Sequence, residues 1–180
     1  VDVKWSGAKL DGVTDDTSSF QAAISATSSG GELTFTGTAL ISSALNFANN
    51  GVTFSGKNQY ASVIMQSNSS AIAINNTGMF NSFTRFSIAY SASTPLSGAT
   101  AVYSSGSNTH VSQVIVQNCY IGFHFTVGTG QMADNFQIFN YESIGVLFNN
   151  SNDLFISKFI LNAGDTTKGR LGGIRLVDKA

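Results

Sequence analysis

The sequence predicts an all-β chain wound as a right-handed parallel β-helix, a solenoid, with one short N-terminal capping helix. Three observations carry this. From Glu32 onward, apolar residues alternate with polar ones in short runs separated by Gly, Asn and Ser, the period-two signature of strands. The runs also recur: Val114 to Phe125 (VIVQNCYIGFHF) is echoed by Gln137 to Phe148 (QIFNYESIGVLF), and Ile121-Gly122 maps onto Ile144-Gly145. Composition agrees, because 11% of the 180 residues are charged while 42% are hydrophobic, with 14 Phe. That is too apolar for a disordered Ser/Asn-rich tract, and too poor in charge for an ordinary mixed surface. Hydroxyls and amides must keep such a surface soluble, as in an all-β protein with many turns.

Taken in order, Val1, Val3 and Trp5 alternate with polar residues and predict a strand. Ser6 to Thr14, with Gly7 and Gly12, predicts a loop. Asp15-Asp16-Thr17 offers N-cap oxygens, and Phe20, Ala23 and Ile24 form one helical stripe, so a helix is expected over Thr17 to Thr27 with Gly30-Gly31 as its stop. Short strands follow at Leu33/Phe35, Leu40/Ile41, Val52/Phe54, Val63/Met65 and Ile72/Ile74.

The recurring unit, about 22 residues of two or three short strands, is one rung of a β-solenoid, in which stacked rungs share a core none could bury alone. Lys158 to Leu176 repeats the scheme with extra residues between Gly164 and Gly172, and Arg85 to Ser104 repeats it with an insertion around Pro95. A left-handed hexapeptide solenoid lacks its six-residue period here, and a β-sandwich does not explain the echo. Residues 1–31 are expected to form an N-terminal strand, loop and capping helix, and 32–180 the rungs. No capping element is visible before Ala180, so the rungs are expected to continue or to be capped by a partner.

A formal net charge of -1 gives no basic footprint for nucleic acid. No apolar run approaches about 20 residues, so no membrane insertion is expected. Cys119 is the single cysteine, which excludes an intrachain disulfide and suits a small core residue. The chain opens directly in an alternating segment without a signal peptide, so a leader is expected either to have been removed or never to have been used. Nothing in the sequence asks for a cofactor.

Gly7-Ala8-Lys9-Leu10-Asp11-Gly12-Val13-Thr14-Asp15-Asp16-Thr17, then Phe20-Gln21-Ala22-Ala23-Ile24 and Gly30-Gly31-Glu32-Leu33, resembles the opening of the pectate-lyase-superfamily β-helices. Such openings are found in bacterial glycan-degrading enzymes and in bacteriophage tailspikes. The resemblance is specific over residues 1–66 and repeat-like beyond; Thr36 to Leu40 departs from it, without the usual Pro and Tyr. It implies that the DGVTDDT loop and helix cap the solenoid. Asp11, Asp15 and Asp16 therefore read as turn and cap residues ahead of a calcium cluster, and no metal site is expected.

Alternation assigns faces: if Phe123 and Phe125 point inward, His124 points outward, as does Arg175 between Ile174 and Leu176. Tyr103, His124, Leu147 and Arg175 would then form an exposed ladder that can hold an acidic sugar chain. The plainer reading of this ladder is packing against a neighbouring subunit or loop. Glu142, in the turn before Ile144, and Asp165, in the corresponding turn one rung later, are the candidate catalytic carboxylates for glycoside hydrolysis. Solvated turn residues are their plainer reading. Asp134 and Asp153 read as turn residues, and His110 offers no argument.

The function expected is that of a phage tailspike β-helix that binds and depolymerises a bacterial surface polysaccharide, capsule or O-antigen. By resemblance it would be a homotrimer located on the virion tail. The rivals are a secreted bacterial polysaccharide lyase or hydrolase, and a non-catalytic structural or glycan-binding solenoid.

Overall fold

The computed structural model describes residues 1–163 and 172–177. A short 3-10 helix (Val3–Ser6) is followed by β1 (Asp11–Asp15) and α1 (Thr17–Ala26). Single short strands come next: β2 (Glu32–Phe35), β3 (Gly37–Ile41), β4 (Leu45–Phe47), β5 (Thr53–Gly56), β6 (Ser62–Gln66) and β7 (Ile74–Asn76). Longer ones follow: β8 (Ser82–Tyr90), β9 (Thr100–Ser104), β10 (His110–Gln117), β11 (Ile121–Phe139), β12 (Ile144–Asn162) and β13 (Gly172–Val177). Among the described residues every pairing is parallel, and they wind as a parallel β-solenoid of about seven turns with a single short α-helix.

The registers define three faces. Sheet one stacks β2, β5 and the middle or leading parts of β8, β10, β11 and β12, as in Leu33↔Phe54↔Phe83↔Val111↔Ala133↔Ile156. Sheet two stacks β1, β3, β6 and the trailing parts of β8, β10, β11 and β12, as in Ala39↔Ile64↔Ile88↔Val116↔Ile138↔Leu161. Sheet three stacks β4, β7, β9, the starts of β11 and β12, and β13.

Alternate residues fill the interior. Phe125 stacks on Phe148 at 5.0 Å and Phe136 on Phe159 at 5.6 Å, each one rung from its partner. Such ring pairs add about 0.5–1.5 kcal/mol beyond burial. The helix closes the first rung with buried Phe20, Ala23 and Ile24, and Phe20 meets the edges of Phe35 and Phe54. Its C-terminus is held by Asn49, whose Nδ2 donates to the Thr27 carbonyl at 2.6 Å. Asn81 continues this buried amide spine, donating to the Asn49 carbonyl and, at 2.7 Å, to Asn76 Oδ1.

Strands β8, β10, β11 and β12 turn corners without ending, because single residues adopt left-handed φ. One such column is Arg85, Gln113, Asn135 and Lys158, between sheets one and two. The left-handed conformation costs a non-glycine residue roughly 1–2 kcal/mol. The Ile-Gly echo has a stacking cause. A Cβ on Gly122 would stand 2.5 Å from the Gly145 carbonyl oxygen, and one on Gly145 would stand 2.6 Å from that of Gly173.

The structure corrects three local expectations. Val1 to Trp5 is no strand: Asp2 accepts from Lys4 N at 2.9 Å, Gly7 takes φ 92°, and the segment closes into a 3-10 turn that leaves Trp5 82% exposed. The expected loop over Ser6 to Thr14 gains β1 at its end, paired with β3 across an irregularity. In β6 it is Ile64 that points inward, while Val63 and Met65 are half-buried on the outer face.

Candidate functional site

The outward residues of sheet three form one register: Asn46↔Asn75↔Tyr103↔His124↔Leu147↔Arg175. Strand alternation creates it, since each flanking residue turns inward, as Leu45 and Phe47 do around Asn46. The first members are tied together. Gln21 of the helix donates to the Asn46 carbonyl at 3.1 Å and accepts from Asn46 N at 3.0 Å, and Asn75 Nδ2 donates to Asn46 Oδ1 at 2.8 Å. A groove of about 360 Å³ lies at this end, lined by Asp15, Thr17, Ser18, Gln21, Ser43, Ala44 and Asn46.

Tyr103 and His124 meet edge to face, 5.2 Å between centroids. Thr126 Oγ1 donates to the Tyr103 hydroxyl at 3.1 Å, and the Asn149 amide donates to His124 Nε2 at 3.1 Å. Burial lowers the His124 pKa below its ordinary value, so the ring is neutral at neutral pH. The half-buried pair thus presents an aromatic edge and a neutral imidazole along an amide-lined strip.

Tyr103, His124, Leu147 and Arg175 therefore occupy the ladder expected of them. Leu147 differs in exposure: it is only 8% accessible within the single chain, so it is not an apolar surface awaiting a neighbour. Arg175 is exposed. Asn46, Asn75 and Gln21 escaped the sequence reading, although the alternation Leu45-Asn46-Phe47 and Ile74-Asn75-Asn76 carried the signal.

Glu142 lies half-buried in the turn between β11 and β12, its N–H donating to the Cys119 carbonyl at 2.9 Å. Asp165 lies outside the described residues. Asp134 is not a turn residue. It stands in β11, with Oδ1 2.5 Å from His110 Nε2 of the preceding rung.

The three early aspartates are consumed locally. Asp11 accepts from Val13 N, Thr14 N and Thr14 Oγ1. Asp15 accepts from Ser42 Oγ and Thr17, which hold its carboxyl below the usual range. Asp16 turns away from the helix it precedes and accepts from Lys9 N at 2.7 Å and Leu10 N at 2.9 Å. Cys119 is buried, and burial pushes its thiol pKa far up. Among the described residues no group of three or more His, Cys, Asp or Glu side chains is placed to hold a metal ion, and no helix is long and apolar enough to cross a membrane.

The family model described as "Rhamnogalacturonase A/epimerase, pectate lyase-like" matches residues 1–169. A search of curated proteins found no match. Among solved structures, the catalytic unit of the thermostable GH87 alpha-1,3-glucanase from Streptomyces thermodiastaticus strain HF3-3 superposes with a TM-score of 0.80 at 22% identity, over 98% of this chain and 34% of that one. The Agl-KA catalytic domain gives 0.75 at 19%, over 96% and 36%. The A-module of the Azotobacter vinelandii mannuronan C-5 epimerase AlgE6 gives 0.67 at 17%, over 98% and 62%. The chain spans about a third of the length of the first two. At these identities the likeness is one of fold.

Proposed function

The chain belongs to the rhamnogalacturonase A/epimerase, pectate lyase-like family, and on that premise we propose that it grips a bacterial surface polysaccharide along the outward face of sheet three. The observation that carries this reading is the ladder of Asn46, Asn75, Tyr103 and His124 in one register, with Asn75 donating to Asn46 and Tyr103 meeting His124 edge to face. Amides bond sugar hydroxyls, the Tyr103 ring packs on a pyranose face, and Arg175 at the far end takes an acidic group. Similarity of fold to a glucanase catalytic unit and a mannuronan epimerase module supports a glycan partner.

The proposal extends to cleavage by the whole protein. Glu142 and Asp165 serve as the carboxylate pair, one protonating the leaving oxygen and the other attacking or activating water, the two roles such pairs take in glycoside hydrolysis. It also extends to a tailspike role, as a homotrimer on the virion tail, supported by the charge-poor, hydroxyl- and amide-rich composition.

Incubating the whole protein with capsule or O-antigen, and reading new reducing ends beside the ultraviolet absorbance of an unsaturated uronate, separates hydrolysis, elimination and binding. The expected result is new reducing ends without that absorbance. Glu142→Gln and Asp165→Asn should each lower cleavage roughly a hundred-fold or more while binding persists. Tyr103→Ala and His124→Ala should weaken binding. Full cleavage in both carboxamide variants would place the catalytic pair elsewhere. Light scattering should give a trimer, and a stable monomer would overturn that part.

A further inference from the structure

A second surface stands apart from sheet three. At the corner between sheets one and two, four successive rungs place Arg85, Gln113, Asn135 and Lys158 in one column, with φ of 63°, 53°, 49° and 47°. All four are exposed. Beside them rises the loop of residues 57–61, pinned from within. Asn58 Oδ1 accepts from Tyr60 N and Ala61 N, each at 2.9 Å; Lys57 N donates to Ser62 Oγ at 2.9 Å; and the Ser87 hydroxyl donates to the Gln59 carbonyl. The loop holds the Tyr60 ring 76% exposed. Between loop and column runs a groove of about 270 Å³ lined by Asn58, Gln59, Tyr60, Arg85, Gln113 and Asn135.

Three features of this corner ask for a ligand. Left-handed backbone is the habit of Gly and Asn, so Arg, Gln and Lys at these positions are kept against local preference, and what they add is their side chains. Cations are scarce in the chain, yet Lys57, Arg85 and Lys158, three of the six Lys and Arg among the described residues, belong to this loop and column. Arg85 is also aimed: Nη2 donates to Ser55 Oγ at 3.2 Å, and Ser55 Oγ to Glu32 Oε1 at 3.1 Å. Among the described residues the guanidinium forms no ion pair, whereas the nearby Asp134 is engaged by His110.

We propose that this corner is a second, non-catalytic glycan site that takes an acidic oligosaccharide. Tyr60 stacks on a pyranose face, Arg85 and Lys158 hold carboxylates, and the Gln113 and Asn135 amides bond hydroxyls between them. Rungs repeat at about 4.8 Å, close to the length of one pyranose unit, so successive sugars meet successive rungs. This goes beyond the sheet-three reading and does not depend on it.

The test is affinity electrophoresis of the whole chain through gels containing polygalacturonate, polymannuronate or hyaluronan, with dextran as neutral control. At least one polyuronate should retard the chain more than dextran does. Tyr60→Ala and Arg85→Gln should each weaken that retention about ten-fold, as loss of one stacking or charge-assisted contact does, while Tyr60→Phe keeps it. Thermal midpoints of the variants confirm that they are folded. Retention no greater than on dextran in all three gels overturns the proposal, as does retention indifferent to Tyr60→Ala and Arg85→Gln. Retention lost in Tyr103→Ala and His124→Ala but kept in the corner variants overturns the corner alone and leaves the sheet-three reading standing.

Discussion

Asp16 is 1% exposed, and its carboxylate accepts two backbone N–H groups, one of them from Leu10, which sits at φ 56°. Asp16→Ala leaves both donors without a partner inside the cap, which should cost roughly 2–4 kcal/mol in urea denaturation, with Asp16→Asn in between. Asp15 acts through charge instead. The Ser42 hydroxyl first, then Thr17, lowers its pKa from the ordinary 3.8. A carboxyl depressed in the folded state stabilises above its unfolded value, and that stability is lost as pH falls through the folded one. Asp15→Asn should therefore flatten the acid limb of the melting temperature. His124 is the opposite type of group, a base depressed from 6.5 by burial. The unfolded chain binds the extra proton, so stability is full above the ordinary value and declines as pH falls through it, levelling once the folded ring is protonated. His124→Gln should remove that decline from melts taken at successive pH values.

At the scale of the rung, what makes the chain turn is what the sequence showed least. The strands were legible because inward residues such as Phe83, Ile88, Phe123 and Phe125 alternate with polar ones. The 3-10 turn at Val3–Ser6 was not, because Val1, Val3 and Trp5 also alternate and only the Asp2 cap and Gly7 reverse the reading. The corners at Arg85, Gln113 and Lys158 were invisible as well, since their residue types carry no left-handed preference. Two variants separate the forces involved. Gly122→Ala drives a Cβ towards the Gly145 carbonyl and Ile138 Cδ1, and should destabilise by about 1–3 kcal/mol. Gln113→Gly relieves its left-handed backbone and should stabilise by up to about 1 kcal/mol, while weakening retention on a polyuronate. Equilibrium unfolding beside affinity electrophoresis reads both signs.

For the whole molecule, stacking makes stability nearly one-dimensional, with each rung supported by its neighbours. The expected ladder of Tyr103, His124, Leu147 and Arg175 was legible for this reason: a repeat fixes register, and register fixes which side chains share a face. Chemistry was less so, because a turn carboxylate such as Glu142 looks the same whether it reacts or is merely hydrated. The two ends of the described stack differ. At the first rung, Phe20, Ala23 and Ile24 of α1 lie over Phe35 and Phe54, sealing the interior. In β13, Ile174 and Leu176 occupy the inward register of buried Val146 and Phe148, yet are 38% and 66% exposed. Opening a middle rung breaks the interfaces on both of its sides. Native-state amide exchange should therefore be slower in the middle rungs, at Ile88, Val116 and Ile138, than in β2 and β3 under their helix. Phe20→Ala removes the seal, at a cost of about 3–5 kcal/mol. It should speed exchange in β2 and β3 many-fold while leaving the middle rungs slow. Uniform acceleration throughout would mean that the solenoid opens as one unit, and would refute the one-dimensional picture.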